Sequence, residues 1–169
     1  IEFSQRNDFW PYYTHPTADK NQIQKVKDLL KQYDLELASC IPLYRWSSTD
    51  EDERQAAIRY WQRAIDLSLE LGCDQMNSEF SGRPEQPERS EAQFWKSMDV
   101  IIPRIEKEGI KLNLEPHPDD FIEDGMRAIE MIRAIGSDNV GFLYCAPHTF
   151  HQGGNMREIM EYAGPLLKH

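Results

Sequence analysis

Glu115 and His117 stand two residues apart in Lys111-Leu112-Asn113-Leu114-Glu115-Pro116-His117, where polar residues alternate with leucines. In a strand, side chains at i and i+2 leave the same face. Asn113, Glu115 and His117 are therefore expected on one face, with Leu112 and Leu114 on the other. A carboxylate and an imidazole at a strand end suit a borderline divalent ion such as Mn²⁺, Zn²⁺ or Co²⁺. They suit general acid–base work on a substrate equally well. The plainer alternative is a satisfied pair that caps the following loop.

A second group lies in Cys145-Ala146-Pro147-His148-Thr149-Phe150-His151. If the strand before it pairs in parallel with the Glu115 strand, His148 and Glu115 converge; otherwise His148 and His151 bond loop carbonyls. Cys145 is a soft ligand, a nucleophile or a small buried hydrophobe, the commonest fate of a cysteine. Glu79 ends an earlier strand and Arg83 follows it in a glycine-containing loop. These two would hold a hydroxylated or anionic substrate, or pair with each other. Phe9 to Tyr13 and Tyr44-Arg45-Trp46 follow the first two strands. The ring of Trp46 is expected to offer a face to a sugar or another planar ligand; the alternative is a hydrophobic contact with more barrel or a partner subunit. His15, alone in a loop, reads as structural or solvated.

The elements that must position these residues follow from periodicity. Ile23, Val26, Leu29 and Leu30 recur at three and four, predicting a helix over 19–33 with one buried stripe. Ser48 with Glu51 predicts a capping box, and Ile58, Trp61, Ile65 and Leu69 the buried stripe of a helix stopped by Gly72. Ser90 with Gln93 predicts the start of a third helix ending before Gly109, interrupted by Pro103. Helices over 123–135 and 155–167 complete the set. Strands are expected over 1–4, 35–42, 73–80, 110–117 and 140–147, each before a helix. Strict alternation implies a parallel sheet covered by helices. No glycine fingerprint of a dinucleotide or phosphate loop follows the first strands. Polar residues ending the third, fourth and fifth strands favour a β/α barrel, whose sites collect at the C-terminal strand ends.

The chain has 169 residues and a formal net charge of −10, a surface that repels nucleic acid and anionic membranes. No apolar run is long enough to span a bilayer. Three scattered cysteines argue for reduced thiols and a cytoplasmic setting. A complete eight-unit barrel needs about 250 residues. Residues 1–169 are thus read as a single β/α-barrel domain with about five of eight units, a fragment of a longer barrel.

Leu112-Asn-Leu-Glu-Pro-His-Pro118 and Tyr144-Cys-Ala-Pro-His-Thr-Phe-His151, in this order of elements, resemble the xylose-isomerase-like TIM-barrel superfamily, the sugar phosphate isomerase/epimerase group. The resemblance implies a divalent metal (Mn, Zn, Co or Mg), with Glu115 as the metal-binding glutamate that ends a middle strand. The family's next strand ends in Asp-x-x-His, with the Asp on the metal and the His near substrate. The His position is His148, but Cys145 takes the Asp position, which implies a thiolate-tolerant ion or a three-ligand site. The family's two further ligands come from later strands. The implied activity is isomerisation or epimerisation of a sugar or polyol, with His117 or Glu79 moving a proton and His148, Arg83, His151 and Trp46 on the substrate. A lyase of the inosose dehydratase or C-glycoside deglycosidase type is the runner-up, and in the latter a histidine resembles His117. A non-catalytic sugar-binding or subunit module is the alternative of a different class. DNA-repair endonucleases share the fold, but the acidic balance opposes them. A homo-oligomer or partner subunit is compatible with all three readings.

Overall fold

The computed structural model describes residues 1–5, 19–150, 153 and 155–169, without the side chains of Ser4, Gln5 and Phe150. The aromatic run Phe9 to Tyr13, His15 and His151 lie outside the described residues. Strand β1 (Glu2–Gln5) leads to helix α1 (Lys20–Gln32), β2 (Ser39–Pro42), α2 (Glu51–Glu70), β3 (Gln75–Glu79) and α3 (Pro87–Glu108). Then come β4 (Lys111–Glu115), α4 (Gly125–Ile135), β5 (Val140–Phe142), α5 (Ala146–Phe150), α6 (Met156–Ala163) and a 3-10 turn (Gly164–Leu166).

The five strands form one sheet in the order β1-β2-β3-β4-β5, every neighbouring pair parallel. A doubly wound sheet reverses its strand order at a switch point. Sequential order without reversal is the arrangement of a barrel wall. The chain past the 3-10 turn returns to the free edge of β5: Leu167 bridges Phe142 in parallel, and the Lys168 N–H donates to the Phe142 carbonyl at 3.0 Å.

The helices begin and end where local chemistry provides for their unpaired backbone groups. Asp19 and Gln22 form a capping box on α1, and the Asp50 carboxylate accepts the Glu53 N–H of α2. The expected Ser48 cap is therefore displaced by Asp50, while the Ser48 hydroxyl donates to the Glu53 carboxylate. Likewise α3 starts at Pro87, not Ser90, because a first-turn proline loses no helical hydrogen bond. Ser90 is instead buried in that helix and accepts the Arg83 N–H at 3.0 Å. The helix runs through Pro103 without a break. Gly109 and Gly136, at φ of 70° and 69°, close α3 and α4 in the left-handed conformation that glycine adopts at least cost.

The core lies between sheet and helices. Leu112 and Leu114 of β4, Met76 of β3 and Cys40 of β2 are fully buried against Trp61, Ile65, Phe94, Ile101 and Ile105. The stripes are narrower than periodicity implies, since Leu29 and Leu69 are exposed. Near the C-terminal strand ends an aromatic cluster gathers. Trp46 stacks on Trp61 at 4.2 Å and meets Phe94 edge-on, and Phe80, Phe94 and Phe121 pack on one another.

That packing corrects the expectation for Trp46. Its ring is fully buried, and its indole N–H donates to the Phe80 carbonyl at 3.0 Å. An aromatic ring on a loop buries its large apolar surface wherever the core has room. Trp46 is thus a core residue with no face left for a sugar.

Candidate functional site

The register places Asn77 beside Asn113 and Glu79 beside Glu115. With the period of a strand, all four turn to the face opposite the helices. The strand ladder stops at Glu115, and Pro116, with no N–H, cannot extend it. His117 therefore lies in the loop, not on the strand face. Its ring turns toward the neighbouring strand, with Nε2 3.4 Å from the Glu79 carboxylate. His117 Nδ1 contacts the Pro118 carbonyl at 2.8 Å. A carbonyl can only accept, so Nδ1 donates to it, and Nε2 is the nitrogen that faces Glu79.

β4 and β5 are neighbours, and the convergence expected of Glu115 and His148 is found: Nδ1 of His148 is 3.1 Å from the Glu115 carboxylate. The short helix α5 carries His148 inward one turn after Cys145. Donor atoms of Glu115, Cys145 and His148 all lie within 4.8 Å of one another. So do those of a second group, Glu79, His117 and Asp120. The two groups touch through their imidazoles, whose centroids are 4.2 Å apart and tilted by 73°.

Burial pushes the Glu115 carboxyl up to about 7, opposed by a hydrogen bond from the Cys145 thiol, which favours the charged form. Burial and the Glu115 charge both push the Cys145 thiol up. Burial also drives Asp120 up to about 8, and the Glu79 carboxylate facing it adds to the shift. These are carboxyl groups whose surroundings penalise negative charge, the condition under which a cation or a proton is welcomed.

Asp120 was not singled out by the sequence, although its place five residues after Glu115, beside apolar Phe121 and Ile122, was the available signal. Its carboxylate accepts the Ser81 N–H at 2.6 Å. Ser81 has φ of 56°, a left-handed conformation costing a non-glycine residue on the order of 1–3 kcal/mol. Its hydroxyl also accepts the Ser47 N–H at 3.3 Å, and its carbonyl accepts the Phe121 N–H at 3.3 Å. Ser81 thus ties together the loops after β2, β3 and β4.

Arg83 is exposed, and Glu79 is paired with His117 and not with Arg83. The structure therefore brings together Glu79, Glu115, His117, Cys145 and His148, and leaves Arg83 and Trp46 outside the group.

One carboxylate, one thiol and one imidazole make a donor set suited to Zn²⁺, Co²⁺ or Mn²⁺; Mg²⁺ demands oxygen ligands and fits poorly beside sulfur. Among the described residues no helix is long and apolar enough to cross a membrane.

Solved structures with this fold include a D-psicose 3-epimerase crystallised with D-fructose, 16% identical, matching 100% of this chain and 61% of that one at a TM-score of 0.81. A family 2 AP endonuclease from Brucella melitensis is 20% identical over 100% of this chain and 66% of its own, at 0.77. A probable 3-DHS dehydratase involved in petrobactin synthesis in Bacillus anthracis is 12% identical over 90% of this chain and 56% of its own, at 0.72. Sugar epimerases recur among the similar structures. At such identity the likeness shows the fold, and the chain spans 61% of the psicose epimerase's length. Comparison with curated proteins gives no match. The model of the xylose isomerase-like TIM barrel family matches residues 1–169. With its sequential parallel sheet and its polar strand ends, the chain belongs to the xylose isomerase-like TIM barrel family.

Proposed function

We propose that this barrel segment carries the ion-binding and proton-transfer side chains of a divalent-metal-dependent isomerase or epimerase of a sugar or polyol. The observation that supports it is the contact between two groups of different composition. Glu115, Cys145 and His148 form one, Glu79, His117 and Asp120 the other, with the His117 and His148 rings edge to face at 4.2 Å. The first is a metal donor set; the second is an acid–base set.

Glu115, Cys145 and His148 would hold the ion, which when bound would supply Lewis acidity at a substrate carbonyl. His117 takes the proton from the carbon next to that carbonyl through Nε2, the nitrogen its Pro118 contact leaves available. The C–H electron pair moves into the carbonyl and leaves an enediolate. Glu79, 3.4 Å from Nε2, stabilises the imidazolium that forms. Return of a proton to the other face of the same carbon gives an epimer; return to the former carbonyl carbon, with the neighbouring hydroxyl proton passing to the first oxygen, gives an isomer.

A lyase is the second reading, and the observation favouring it is Asp120. A carboxyl held up to about 8 beside Glu79 stays protonated at neutral pH and can protonate a departing hydroxyl, so that the same enediolate loses water. Both readings are tested by supplying the full-length protein with Mn²⁺ and keto-sugars in D₂O. Deuterium at the carbon next to the carbonyl is expected in either case, with loss of water marking the lyase. A metal-loaded protein that incorporates no deuterium from any ketose would sink both.

A further inference from the structure

Glu79 ends β3, whereas His117 lies in the loop after β4. They are joined by a closed circuit. From the Glu79 carboxylate, 3.4 Å of contact leads to His117 Nε2. The His117 carbonyl accepts the Asp120 N–H at 3.2 Å, and the Asp120 carboxylate accepts the Ser81 N–H at 2.6 Å. Ser81 is two residues from Glu79, which closes the ring. None of these bonds is made to Glu115, Cys145 or His148, whose group the circuit meets at the His117–His148 ring contact.

Two features show that this circuit is held under constraint. Ser81 and Asp119 both keep positive φ, 56° and 68°, where side-chain-bearing residues are uncommon. Gly82, at φ of 89°, is wedged so closely that a Cβ would stand 2.8 Å from Ser90 Cβ and 2.9 Å from the Phe121 ring. Unfavourable backbone states persist where surrounding contacts over-determine them, and they cluster at working sites. The buried Asp120 is the one link in the circuit made by a side chain onto another loop's backbone.

We propose that the Asp120–Ser81 bond is a latch that sets the Glu79–His117 separation, making Asp120 a positioning residue for proton transfer. It deepens the proposed function and rests on it only for the activity readout. Its action is geometric: at 2.6 Å, beside the longer 3.3 Å bond from the Phe121 N–H to the Ser81 carbonyl, the latch joins the loop after β3 to the loop after β4. Loss of the bond lets His117 drift from Glu79 while Glu115 and His148 stay in place. A displacement of about 1 Å in such a group is enough to lower turnover by as much as about 100-fold.

The test uses the full-length protein with Asp120→Ala, Asp120→Asn and Asp120→Glu. Three quantities are read: the Glu79–His117 distance in crystals, hydrogen exchange at the Ser81 amide, and deuterium incorporation into a ketose. In Asp120→Ala the distance lengthens, the Ser81 amide exchanges at least about tenfold faster, and kcat falls about tenfold or more with KM and bound metal unchanged. Asp120→Asn restores the distance and the Ser81 protection, because its amide oxygen still accepts the Ser81 N–H. Asp120→Glu keeps the carboxyl group but moves it by one methylene, and so loses kcat; it also carries the decision if the alanine variant fails to fold. Wild-type distance and Ser81 protection in Asp120→Ala, or wild-type kcat in Asp120→Glu, overturns the latch. If the unaltered protein incorporates no deuterium, the proposed function fails, while the distance and the amide exchange still decide the latch.

Discussion

Two layers of the inner barrel face differ by a single step along the same two strands. In the lower layer, Asn113 donates to Asn77 at 2.9 Å and Asn77 donates to the Glu2 carboxylate at 2.6 Å, which also accepts the Ser39 hydroxyl at 2.7 Å. Every contact there pairs a donor with an acceptor. In the upper layer the same strands present Glu79 and Glu115, whose neighbours are imidazoles at 3.4 and 3.1 Å, a thiol and another carboxylate. Acceptors there outnumber fixed donors, and Glu115 and Asp120 respond with raised pKa values. The lower layer is complete without a ligand. The upper layer is where the proposed ion and proton transfers would sit, and that contrast sets the two layers of one surface apart.

The sharpest way to break the contrast is to make the upper layer resemble the lower one. Glu115→Gln replaces the carboxylate by an amide of the same shape. Bound metal is expected to disappear by elemental analysis, and deuterium incorporation to fall by about 100-fold or more. The converse is to damage the lower layer with Asn113→Ala. That leaves the Asn77 amide oxygen buried without its donor and is expected to cost about 1–3 kcal/mol in chemical denaturation, with metal content unchanged. Equal metal loss in both variants would erase the distinction.

Acidity distinguishes the layers next. The Asp120 pKa is raised from 3.8 to about 8 in the folded chain, so between those limits the native state binds more protons than the unfolded state. Stability of the metal-free protein therefore falls as pH rises through that window, by at most a few kcal/mol. Denaturation midpoints at pH 5 and pH 8 measure it, and Asp120→Asn is expected to reduce the difference to the part that Glu115, raised to about 7, contributes. A smaller effect tests the lower layer's fit. A Cβ at Gly141 would stand 2.3 Å from Lys168 Cγ and 2.9 Å from Asn113 Oδ1, so Gly141→Ala is expected to lower stability by about 1–2 kcal/mol without touching catalysis. Least of all, Arg83→Ala should change KM for a ketose by less than about twofold, since an exposed arginine outside the cluster gives little.

Much of the site is legible in the sequence. Glu115 and His148 were found from a strand-end carboxylate and a histidine following the next strand, and parallel pairing of neighbouring strands brought them to 3.1 Å. What misled was local similarity with more than one outcome. Ser48 and Asp50 are both good caps, and the helix took the later one. Trp46 had the composition of a sugar platform, yet Trp61 and Phe94 offered it a dry pocket. Asp120 carries little local signal, because its meaning lies in Ser81, 39 residues away in the chain.

The sequence by itself determined the alternation of strands and helices, the glycine stops and the face on which Asn113 and Glu115 stand. Those follow from periodicity and backbone sterics, which act over a few residues. Only the tertiary structure decided that His117 pairs with Glu79, that Asp120 joins them, and that Cys145 and His148 close around Glu115. Those pairings depend on strand register and on loops held by contacts between segments far apart in the chain, and no local rule fixes such distances.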